Sequence, residues 1–415
     1  MKNKLAIIST FDDLCGIASY TRNLMNQLKD DYEITVFDLD QYIFRATAKN
    51  LIQQADKEIE YICSQLSNFD VVNIQLEHGT LGNQPKQIMK RLIKLCRAAP
   101  KISITFHTII YNNNLFGNVW RFLFGFKFKS AYYQFKSNVR EFLLSQPLYN
   151  ELVKLEKQKD VSIICHTGRD AKLMKNICGL KNVYDHPLSY FSQEFSQELD
   201  KSFDLEMTFP LLSKNLGKGD VLLGCFGFIG AYKGIDTVIK ALELLPENYK
   251  LAIFGGIHPG AINQHELING YLNKLLQDID PILPIGKEKN NKTIQKLKAN
   301  LLERVFFMGV LSDDEFPKAM KACDIVLLPY IEIGQSASAP MSMAVDIGAH
   351  VIASRTKCFM QFTRYNPNRI TMFDIGNYLQ LSQQIKFFDL SQKYEHTKYS
   401  VKTNIETYNK ALFSK

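Results

Sequence analysis

The sequence lacks the long apolar segments and biased tracts that mark membrane-spanning and disordered proteins. No run of about 18 apolar residues occurs, so no membrane-spanning helix is predicted. The apolar part of residues 1–14 is far too short for a signal peptide. No low-complexity tract interrupts the 415 residues. We therefore expect a globular protein, and its length predicts two domains.

Several short motifs with known chemistry are also absent. The sequence contains no GxxxxGK[ST] motif, which argues against P-loop chemistry. It contains neither HExxH nor a CxxC pair, so no bound metal is predicted. The eight cysteines are scattered. Those in strand-like runs, Cys165, Cys225 and Cys323, are predicted to be reduced core residues of a cytosolic protein.

The charge balance is mildly basic and narrows the choice of ligand only a little. The formal net charge is +8 and the sequence pI is near 8.8. Such a surface is compatible with phosphate-bearing ligands or with an anionic membrane, and it is specific to neither. Hydrophobic residues make up 46% of the chain, which is enough for sizeable cores.

Both halves of the chain alternate between buried strands and helices. This rhythm predicts an α/β protein with two tandem, Rossmann-like, doubly wound parallel sheets and a cleft between the domains. The predicted strands are residues 4–10, 33–39, 69–76, 101–108, 161–167 and a short one near 182–188, then 220–229, 249–256, 303–310, 324–330 and 350–354.

The domain boundaries follow from the same pattern. We place an N-terminal domain at 1–205, a C-terminal domain at 206–385 and a C-terminal helix at 386–415, which packs back toward the N-terminal domain. Two regions depart from the alternation: an aromatic and basic insertion at about 111–160, and a polar helical region at 262–300.

Polar residues and glycines follow several predicted strands of the first half. Gly16 lies in the loop after the first strand, His78 follows the third, and His107 follows the fourth. Ligands of parallel α/β sheets gather at the carboxyl ends of strands. This convergence raises His107 to even odds between a ligand-binding role and that of a structural histidine.

Two loops of the second half carry the features of a phosphate site. Gly230 and Lys233 follow the strand at 220–229, and a loop rich in Gly, Ser and Ala precedes a helix near residue 339. The lysine can neutralise a diphosphate, and the free N–H groups of a helix N-terminus add donors. Considered alone, Lys233 is more often an exposed loop lysine.

The stretch at 111–140 interleaves aromatic residues with lysine and arginine and contains no acid. Such a composition suits the headgroup region of an anionic bilayer, here through residues 116–136. It also suits stacking on nucleic-acid bases, but no other feature of the sequence supports nucleic-acid binding. The third interpretation is an insertion whose aromatics pack on the domain and whose lysines stay in water.

Over nearly its whole length the chain resembles retaining glycosyltransferases of the GT-B fold, family 4-like (glycosyl transferases group 1). The resemblance is carried by six segments in family order: GIASYTRNL, FDVVNIQLEHGTLG, ITFHT, FGFIGAYKGIDTVIKAL, VFFMGVLSDDEFPKAMKACDIVLLPY and GQSASAPMSMAVDIGAHVIAS. The segments of the C-terminal domain are the more specific.

The resemblance implies a role for each matching position. His107, Lys233 and Gln335 take the catalytic positions, at the donor sugar and diphosphate. The other positions implied to bind the donor or border its site are Gly16, Gln75, His78, Gly230, Met308, Gly309, Val310, Gly334, Ser336, Ala337, Ser338 and Met343.

The sequence departs from the family pattern where charged contacts are usual. The family has two acids eight residues apart, and here those positions hold Gln335 and Met343. Phe228 replaces an arginine, and Pro340 removes one N–H from the helix start. A glutamine can still hydrogen-bond sugar hydroxyls, whereas a methionine cannot bind a ribose diol.

The resemblance implies transfer of a hexose from a nucleoside-diphosphate sugar to a glycan, lipid-linked or protein acceptor, in bacterial surface glycoconjugate synthesis. No cofactor or metal is expected besides the donor, and the expected location is cytoplasmic or peripheral at the inner face of the membrane. Two alternatives stay open: a non-catalytic scaffold subunit of a glycosylation complex, which Met343 and Phe228 favour, and a nucleotide-sugar epimerase.

Overall fold

The computed structural model describes residues 2–112, 114–262, 268–280, 301–392, 394 and 398–413, and it divides the chain into two compact units. The first unit comprises Met1–Leu188 and Val401–Lys415, and the second comprises Ser189–Ser400. The division thus follows Leu188, earlier than the boundary at 205/206 that the sequence predicts. The second unit gains a helix at its start, whose Ser196 hydroxyl donates to the carbonyl of Ile347.

The first unit is built on a parallel sheet with the strand order β2-β1-β3-β4-β5-β6. All six strands predicted for this half are present, and the short sixth strand pairs with β5. The strands are β1 (Asn3–Ser9), β2 (Tyr32–Asp38), β3 (Val71–Leu76), β4 (Ile102–Phe106), β5 (Val161–Cys165) and β6 (Val183–Asp185). The helices are α1 (Gly16–Leu28), α2 (Gln41–Phe44), α3 (Lys49–Gln65), α4 (Pro85–Ala98), α5 (Val119–Phe124), α6 (Phe128–Glu156) and α7 (Gly168–Asn176).

Helix α6 corrects the extent of the predicted insertion. Its second half presents Leu144, Leu148, Leu152 and Leu155 to the core of the first unit. Leu144, Leu148 and Leu152 are spaced by four residues, which places them on one face of the helix. This part of α6 is therefore the crossover from β4 to β5, and only the stretch before it departs from the doubly wound pattern.

The second unit repeats the architecture with the strand order β12-β11-β10-β7-β8-β9, all parallel. Its strands are β7 (Val221–Phe226), β8 (Tyr249–Phe254), β9 (Val305–Gly309), β10 (Ile325–Leu328), β11 (Val351–Ser354) and β12 (Thr371–Phe373). Its helices are α8 (Gln193–Ser202), α9 (Leu205–Thr208), α10 (Pro210–Lys214), α11 (Ile235–Leu242), α12 (Gly270–Ile279), α13 (Glu315–Ala322), α14 (Ala339–Asp346), α15 (Lys357–Tyr365) and α16 (Tyr378–Lys386). Of the predicted polar helical region, residues 263–267 and 281–300 lie outside the described residues.

Each sheet has a point at which the direction of winding reverses. In the second sheet β7 and β10 are neighbours although they are far apart in sequence, so the loops after them meet. In the first sheet the same relation holds for β1 and β3. Open α/β sheets bind ligands outside the carboxyl ends of strands at such points. Ligands are therefore expected at the loops after β7 and β10, and at those after β1 and β3.

The last helix, α17 (Val401–Leu412), belongs to the first unit. The hydroxyl of Ser162 in β5 donates to the carbonyl of Ala411, at 2.6 Å. Tyr408 of α17 is completely buried. The described part of the chain contains no helix that is both long enough and apolar enough to cross a membrane.

Gly234 allows the loop after β7 to lie against the loop after β10. Its φ is +66°, and a Cβ at this position would be 2.0 Å from the carbonyl oxygen of Pro329. Both the backbone conformation and the close approach exclude a side chain. We expect Gly234→Ala to lower the free energy of unfolding by roughly 2 kcal/mol or more, measured by urea denaturation.

The matched control for this substitution is Gly270→Ala. Gly270 begins α12, has no positive φ and has no atom within 4 Å of the added Cβ. This variant should keep the stability of the unchanged protein. Equal stability of Gly234→Ala and Gly270→Ala would contradict the close approach of the two loops.

Candidate functional site

Lys233 lies at the point where the winding of the second sheet reverses. After β7 the chain passes Gly227 and Gly230 and makes a 3-10 turn at Ala231–Lys233, in which the N–H of Lys233 donates to the carbonyl of Gly230 at 2.9 Å. Gly227 lies close beside the ammonium, because a Cβ there would be 3.0 Å from the Lys233 Nζ. The same hypothetical Cβ would be 3.9 Å from Pro340. The ammonium of Lys233 and the first turn of α14 thus both border Gly227.

The ammonium of Lys233 is buried and has aromatic neighbours instead of an acid. Its side chain is 7% exposed, and Nζ donates to the hydroxyl of Tyr330. Nζ also lies 4.0 Å from the centre of the Tyr330 ring, in a cation–π contact. No carboxylate forms an ion pair with Lys233 among the described residues. Burial lowers the pKa of Lys233 to about 7. An anion entering here would meet a cation that no carboxylate of the described residues neutralises.

The loop after β10 brings the predicted residues 334–338 to the start of α14. Gly334 has a φ of +84°, and its N–H donates to Glu332 at 2.9 Å. Gln335, Ser336 and Ala337 are half-buried, and Ser338 is the buried N-cap residue of α14. The side chain of Ser338 makes no capping hydrogen bond, so the first-turn N–H groups remain available, except at Pro340. Lys233 and this helix start together form a site suited to an anion.

The end of β9 lies at the same edge of the sheet, two strands away from β7. Met308 is half-buried, while Gly309 and Val310 are exposed. A Cβ on Gly256 would be 2.6 Å from the Val310 side chain, and one on Gly255 would be 2.0 Å from the carbonyl of Gly227. The loops after β7, β8 and β9 are therefore in direct contact.

The two acids nearest to Gln335 and Met343 in the sequence are already engaged. Glu332 accepts from the N–H groups of Gly334 and Lys357. Asp346 is buried and accepts from the N–H groups of Tyr190 and Phe191, at 2.6 and 3.1 Å. Burial raises the pKa of Asp346 to about 7. Met343 has no carboxylate, and its side chain is buried at 6% exposure. None of these three positions therefore offers a free carboxylate.

Phe228, which replaces the family arginine, packs against a histidine. Its ring and that of His258 meet edge to face with centres 4.7 Å apart. The position therefore contributes an aromatic contact and no charge. Among the described residues, Lys233 is therefore the only buried cation between the loops after β7 and β10.

In the first unit a chain of hydrogen bonds sets the tautomer of His107. Gln75 donates from Nε2 to Asn73 Oδ1 at 2.6 Å, which turns its Oε1 toward His107. His107 Nε2 and Gln75 Oε1 are 2.8 Å apart, so Nε2 carries the proton and donates. The Nδ1 of His107 is then left as a hydrogen-bond acceptor.

Tyr408 of α17 also contacts the side chains that orient His107. Its hydroxyl lies 3.3 Å from Gln75 Nε2, 3.1 Å from Thr105 Oγ1 and 3.3 Å from the hydroxyl of Tyr20. All four side chains are buried. A residue near the chain terminus therefore contributes to the orientation of Gln75 and, through it, of His107.

The buried histidines of the first unit are neutral near pH 7. Burial lowers the pKa of His107 well below its usual value, and the neighbouring His166 ring, 4.9 Å away, adds to this effect. Burial also lowers the pKa of His78, which follows β3, to about 4. His166 and His186 have pKa values lowered to about 4 for the same reason. These rings can exchange hydrogen bonds with a ligand but carry no charge.

Gly16 begins α1 and does not use the conformational freedom of glycine. Its φ is not positive, and the preceding residue, Cys15, caps the helix by accepting from the N–H of Ala18. Gly16 is exposed at the loop after β1, next to the loop after β3 in the sheet order. The described residues contain no group of three or more His, Cys, Asp or Glu side chains arranged to hold a metal ion.

Comparison with known families identifies the second unit. Residues 213–397 match the family model of glycosyl transferases group 1, which spans most of that unit. This part of the chain is a group 1 glycosyltransferase domain. The match confirms the resemblance to glycosyl transferases group 1 that the motifs of the C-terminal domain indicate. No protein of curated function matches the sequence significantly.

Solved structures similar to this glycosyltransferase share its fold over the whole chain. A glycosyltransferase from Rickettsia africae has a TM-score of 0.61 at 13% identity, with 100% of both chains covered. Anabaena HepE, in complex with UDP-glucose, has a TM-score of 0.58 at 14% identity, with 99% of each chain covered. The α,α-trehalose 6-phosphate synthase from Burkholderia multivorans has a TM-score of 0.60 at 10% identity, covering 99% of this chain and 98% of that one. This similarity confirms the GT-B fold.

Three residues that contact candidate site residues within their own unit are not predicted by the sequence. Tyr330 was assigned only to a buried strand end, yet it contacts Lys233. Tyr408 carries no local sign of its role, because it meets Gln75 only through the tertiary fold. His166 had a sign that could have been used: the pair His-Thr follows β5 as it follows β4, and the two strands are neighbours.

The neutral buried histidines predict that acid destabilises the first unit. The unfolded chain binds protons near pH 6.5, whereas His78, His166 and His186 bind them only near pH 4. Their contribution to stability is therefore complete above pH 6.5 and is lost as pH falls toward 4. Between pH 7 and 5 we expect a loss of up to about 2 kcal/mol per histidine, measured by urea denaturation.

A variant distinguishes the loss of stability caused by these histidines from that caused by other titrating groups. His78→Gln removes one of these histidines and should reduce the loss between pH 7 and 5 by up to about 2 kcal/mol. The comparison uses the difference between the two proteins, so carboxylates common to both cancel. An identical pH dependence in the two proteins would show that His78 is not held neutral.

Proposed function

We propose that this glycosyltransferase moves a hexose from a nucleoside-diphosphate sugar to a glycan, lipid-linked or protein acceptor. The second unit binds the donor and the first unit binds the acceptor. The reaction retains the anomeric configuration and needs no metal. It takes place at the cytoplasmic side, in the synthesis of a bacterial surface glycoconjugate.

The observation that carries this proposal is the buried ammonium of Lys233. It lies beside the start of α14 and has no carboxylate partner among the described residues. Negative charge develops on the diphosphate as the bond to the sugar breaks. A buried cation and the N–H groups of a helix start stabilise that charge without having to reorganise. The nucleoside diphosphate therefore leaves toward Lys233.

The remaining positions divide among the parts of the donor. The amide of Gln335 hydrogen-bonds sugar hydroxyls as both donor and acceptor. The segment Met308–Val310 borders the base, and residues 334–338 border the sugar and the phosphates. Met343 provides no carboxylate for the ribose, so the diphosphate contacts account for a larger share of the binding energy than in relatives with two acids.

His107 and the side chains that orient it bind the sugar of the donor. The acceptor nitrogen Nδ1 of His107 suits a sugar hydroxyl, and Gln75 keeps the ring in that tautomer. The first unit otherwise presents Gly16 and His78 at the carboxyl ends of β1 and β3. No side chain of the chain stands out as a nucleophile, which favours attack by the acceptor hydroxyl on the same face from which the nucleotide leaves.

The choice of donor for a first experiment comes from a structural relative. Anabaena HepE was solved in complex with UDP-glucose. UDP-glucose is therefore the first probe, within a panel that varies the sugar and the base. Binding of any member supports the proposal. Failure of every member to bind would favour the scaffold interpretation, and conversion of the donor without an acceptor would favour the epimerase.

Replacing Lys233 should weaken binding of the nucleotide strongly. A hydrogen bond to a charged group contributes about 1.5–3 kcal/mol, so Lys233→Ala should raise the Kd for UDP roughly 10- to 100-fold in calorimetry. Lys240→Ala removes an exposed lysine from the same unit and should leave the Kd unchanged. A Kd equal to that of the Lys240→Ala variant would contradict the role of Lys233.

The low pKa of Lys233 adds a pH dependence of known sign. With a pKa of about 7 in the free protein, the lysine loses its proton as pH rises past 7, and the diphosphate must then bind together with a proton. We expect the Kd for UDP to rise between pH 6.5 and 8.5 (approximate limits set by this pKa). Lys233→Arg keeps its charge and should show a flat profile. A flat profile in the unchanged protein would contradict the lowered pKa.

Metal independence and retention are tested together on the active enzyme. With a productive donor and acceptor, addition of EDTA should leave kcat/KM unchanged, because Lys233 and the helix start supply the positive charge. Proton NMR of the first product should show the anomeric configuration of the donor. A loss of activity that Mg²⁺ or Mn²⁺ restores would overturn the first expectation, and an inverted anomer would overturn the second.

A further inference from the structure

The helical hairpin formed by residues 116–136 exposes an unusual number of aromatic side chains. It comprises α5, the turn at 125–127 and the first turns of α6, and is called here the aromatic hairpin. Its exposed rings, with their exposed fractions, are Phe116 (53%), Trp120 (57%), Phe124 (82%), Phe126 (82%), Phe128 (64%), Tyr132 (63%), Tyr133 (67%) and Phe135 (36%). The aromatic residues are therefore not packed on the domain, which rules out the packed-insertion interpretation of this stretch.

The rings contact one another in groups. Phe124 contacts Trp120, Trp120 contacts Phe116, and Phe116 contacts Phe135, with ring centres 6.4, 6.3 and 5.6 Å apart. At the tip of the hairpin, Phe126 meets Phe128 edge to face at 6.4 Å. Exposed apolar rings gathered on one short segment of an otherwise ordinary fold mark an interaction site.

The hairpin is held by contacts that do not use these rings. Asn138 is buried, and its Nδ2 donates to the carbonyls of Leu115 and Gly117, at 3.0 and 2.9 Å. Val119 and Ala131 fill the space beneath the hairpin. Phe124 and Phe126, which take no part in these contacts, are therefore not needed to hold the hairpin together.

The backbone at the tip is strained in a way that keeps a ring in solvent. Phe126 has a φ of +54°, which bulky residues rarely adopt, and its side chain is 82% exposed. Glycine or asparagine would satisfy this conformation at lower cost. Strain that presents an apolar ring to water gains nothing within the fold and indicates a partner.

The charges around the rings identify the kind of partner. Arg121, Lys127, Lys129, Lys136 and Arg140 are all exposed, and residues 111–140 contain no acid. On α6, Phe128, Tyr132 and Phe135 follow helical spacing, and Lys129, Lys136 and Arg140 lie beside them. Aromatic rings at the depth of lipid headgroups, with cations facing acidic headgroups, are the composition of an interfacial anchor.

We propose that the aromatic hairpin docks this enzyme onto an anionic lipid bilayer, with Phe124 and Phe126 entering the headgroup region. The lysines and arginines bind acidic headgroups around them. The docking does not depend on donor binding or sugar transfer, so its test is independent of the proposed function. For the transfer reaction it favours a lipid-linked acceptor over the glycan and protein acceptors.

The chain contains a reporter for this event. Trp120 is its only tryptophan and lies within the aromatic hairpin, 57% exposed. With vesicles of phosphatidylcholine and phosphatidylglycerol, its fluorescence should shift to shorter wavelength and be quenched by brominated lipids. The protein should float with these vesicles at low salt and less at high salt, because screening weakens the attraction of the cations. Vesicles of phosphatidylcholine alone should bind at least about tenfold less protein.

Two pairs of variants separate docking from folding. Phe124→Ser with Phe126→Asn removes two exposed rings, and asparagine tolerates the left-handed backbone at 126. The matched control, Met207→Ser with Phe387→Ser, removes two side chains of the second unit that are 85% and 79% exposed. Vesicle affinity should fall at least about tenfold in the hairpin variant and stay unchanged in the control, with no loss of stability in either variant.

Three results would overturn the proposal. The first is an unshifted Trp120 spectrum with anionic vesicles at low salt. The second is vesicle binding that survives in the hairpin variant. The third is equal binding to neutral and anionic vesicles. A hairpin variant that loses vesicle binding but keeps its Kd for UDP would support docking separately from donor binding.

Discussion

A buried ammonium with no carboxylate partner among the described residues is the constraint around which the second unit is arranged. Transferring a charged group out of water is costly, and the lowered pKa of Lys233 expresses that cost. The fold offsets part of it with the ring and hydroxyl of Tyr330. In the function that we propose, the diphosphate of the donor offsets the rest, at the point where the loops after β7 and β10 meet and the winding of the sheet reverses.

The first unit buries its polar side chains by the opposite method. Its histidines stay neutral, and a chain of amide and hydroxyl groups satisfies the ring of His107. Each amide orientation follows from the previous one, so the tautomer of His107 is determined by residues as distant in sequence as Tyr408. In the function that we propose, such a network recognises hydroxyl groups by geometry, whereas the second unit recognises phosphate by charge.

The loss of two charged family positions changes how these sites must work. Gln335 and Met343 provide no carboxylate, and the nearby Glu332 and Asp346 are already bound to backbone N–H groups. The aromatic hairpin differs from both sites, because it exposes rings and cations that the fold itself does not use. In the donor site and in the aromatic hairpin alike, the hydrogen bonds and packing contacts made within the fold decide which groups remain for a ligand.

The sequence by itself determined the α/β class, the two doubly wound sheets, nearly every strand and the positions of Lys233 and His107 after strands. These follow from short-range hydrophobic period and from motif order, which neighbouring residues carry. It misjudged the 111–160 region, because the aromatic and basic residues masked the apolar face that begins at Leu144. Only the tertiary structure decided that Lys233 is buried against Tyr330, that Tyr408 reaches Gln75, and that the aromatic hairpin faces solvent. Burial and pairing depend on residues that are far apart in the chain, and no local pattern records which of them will meet.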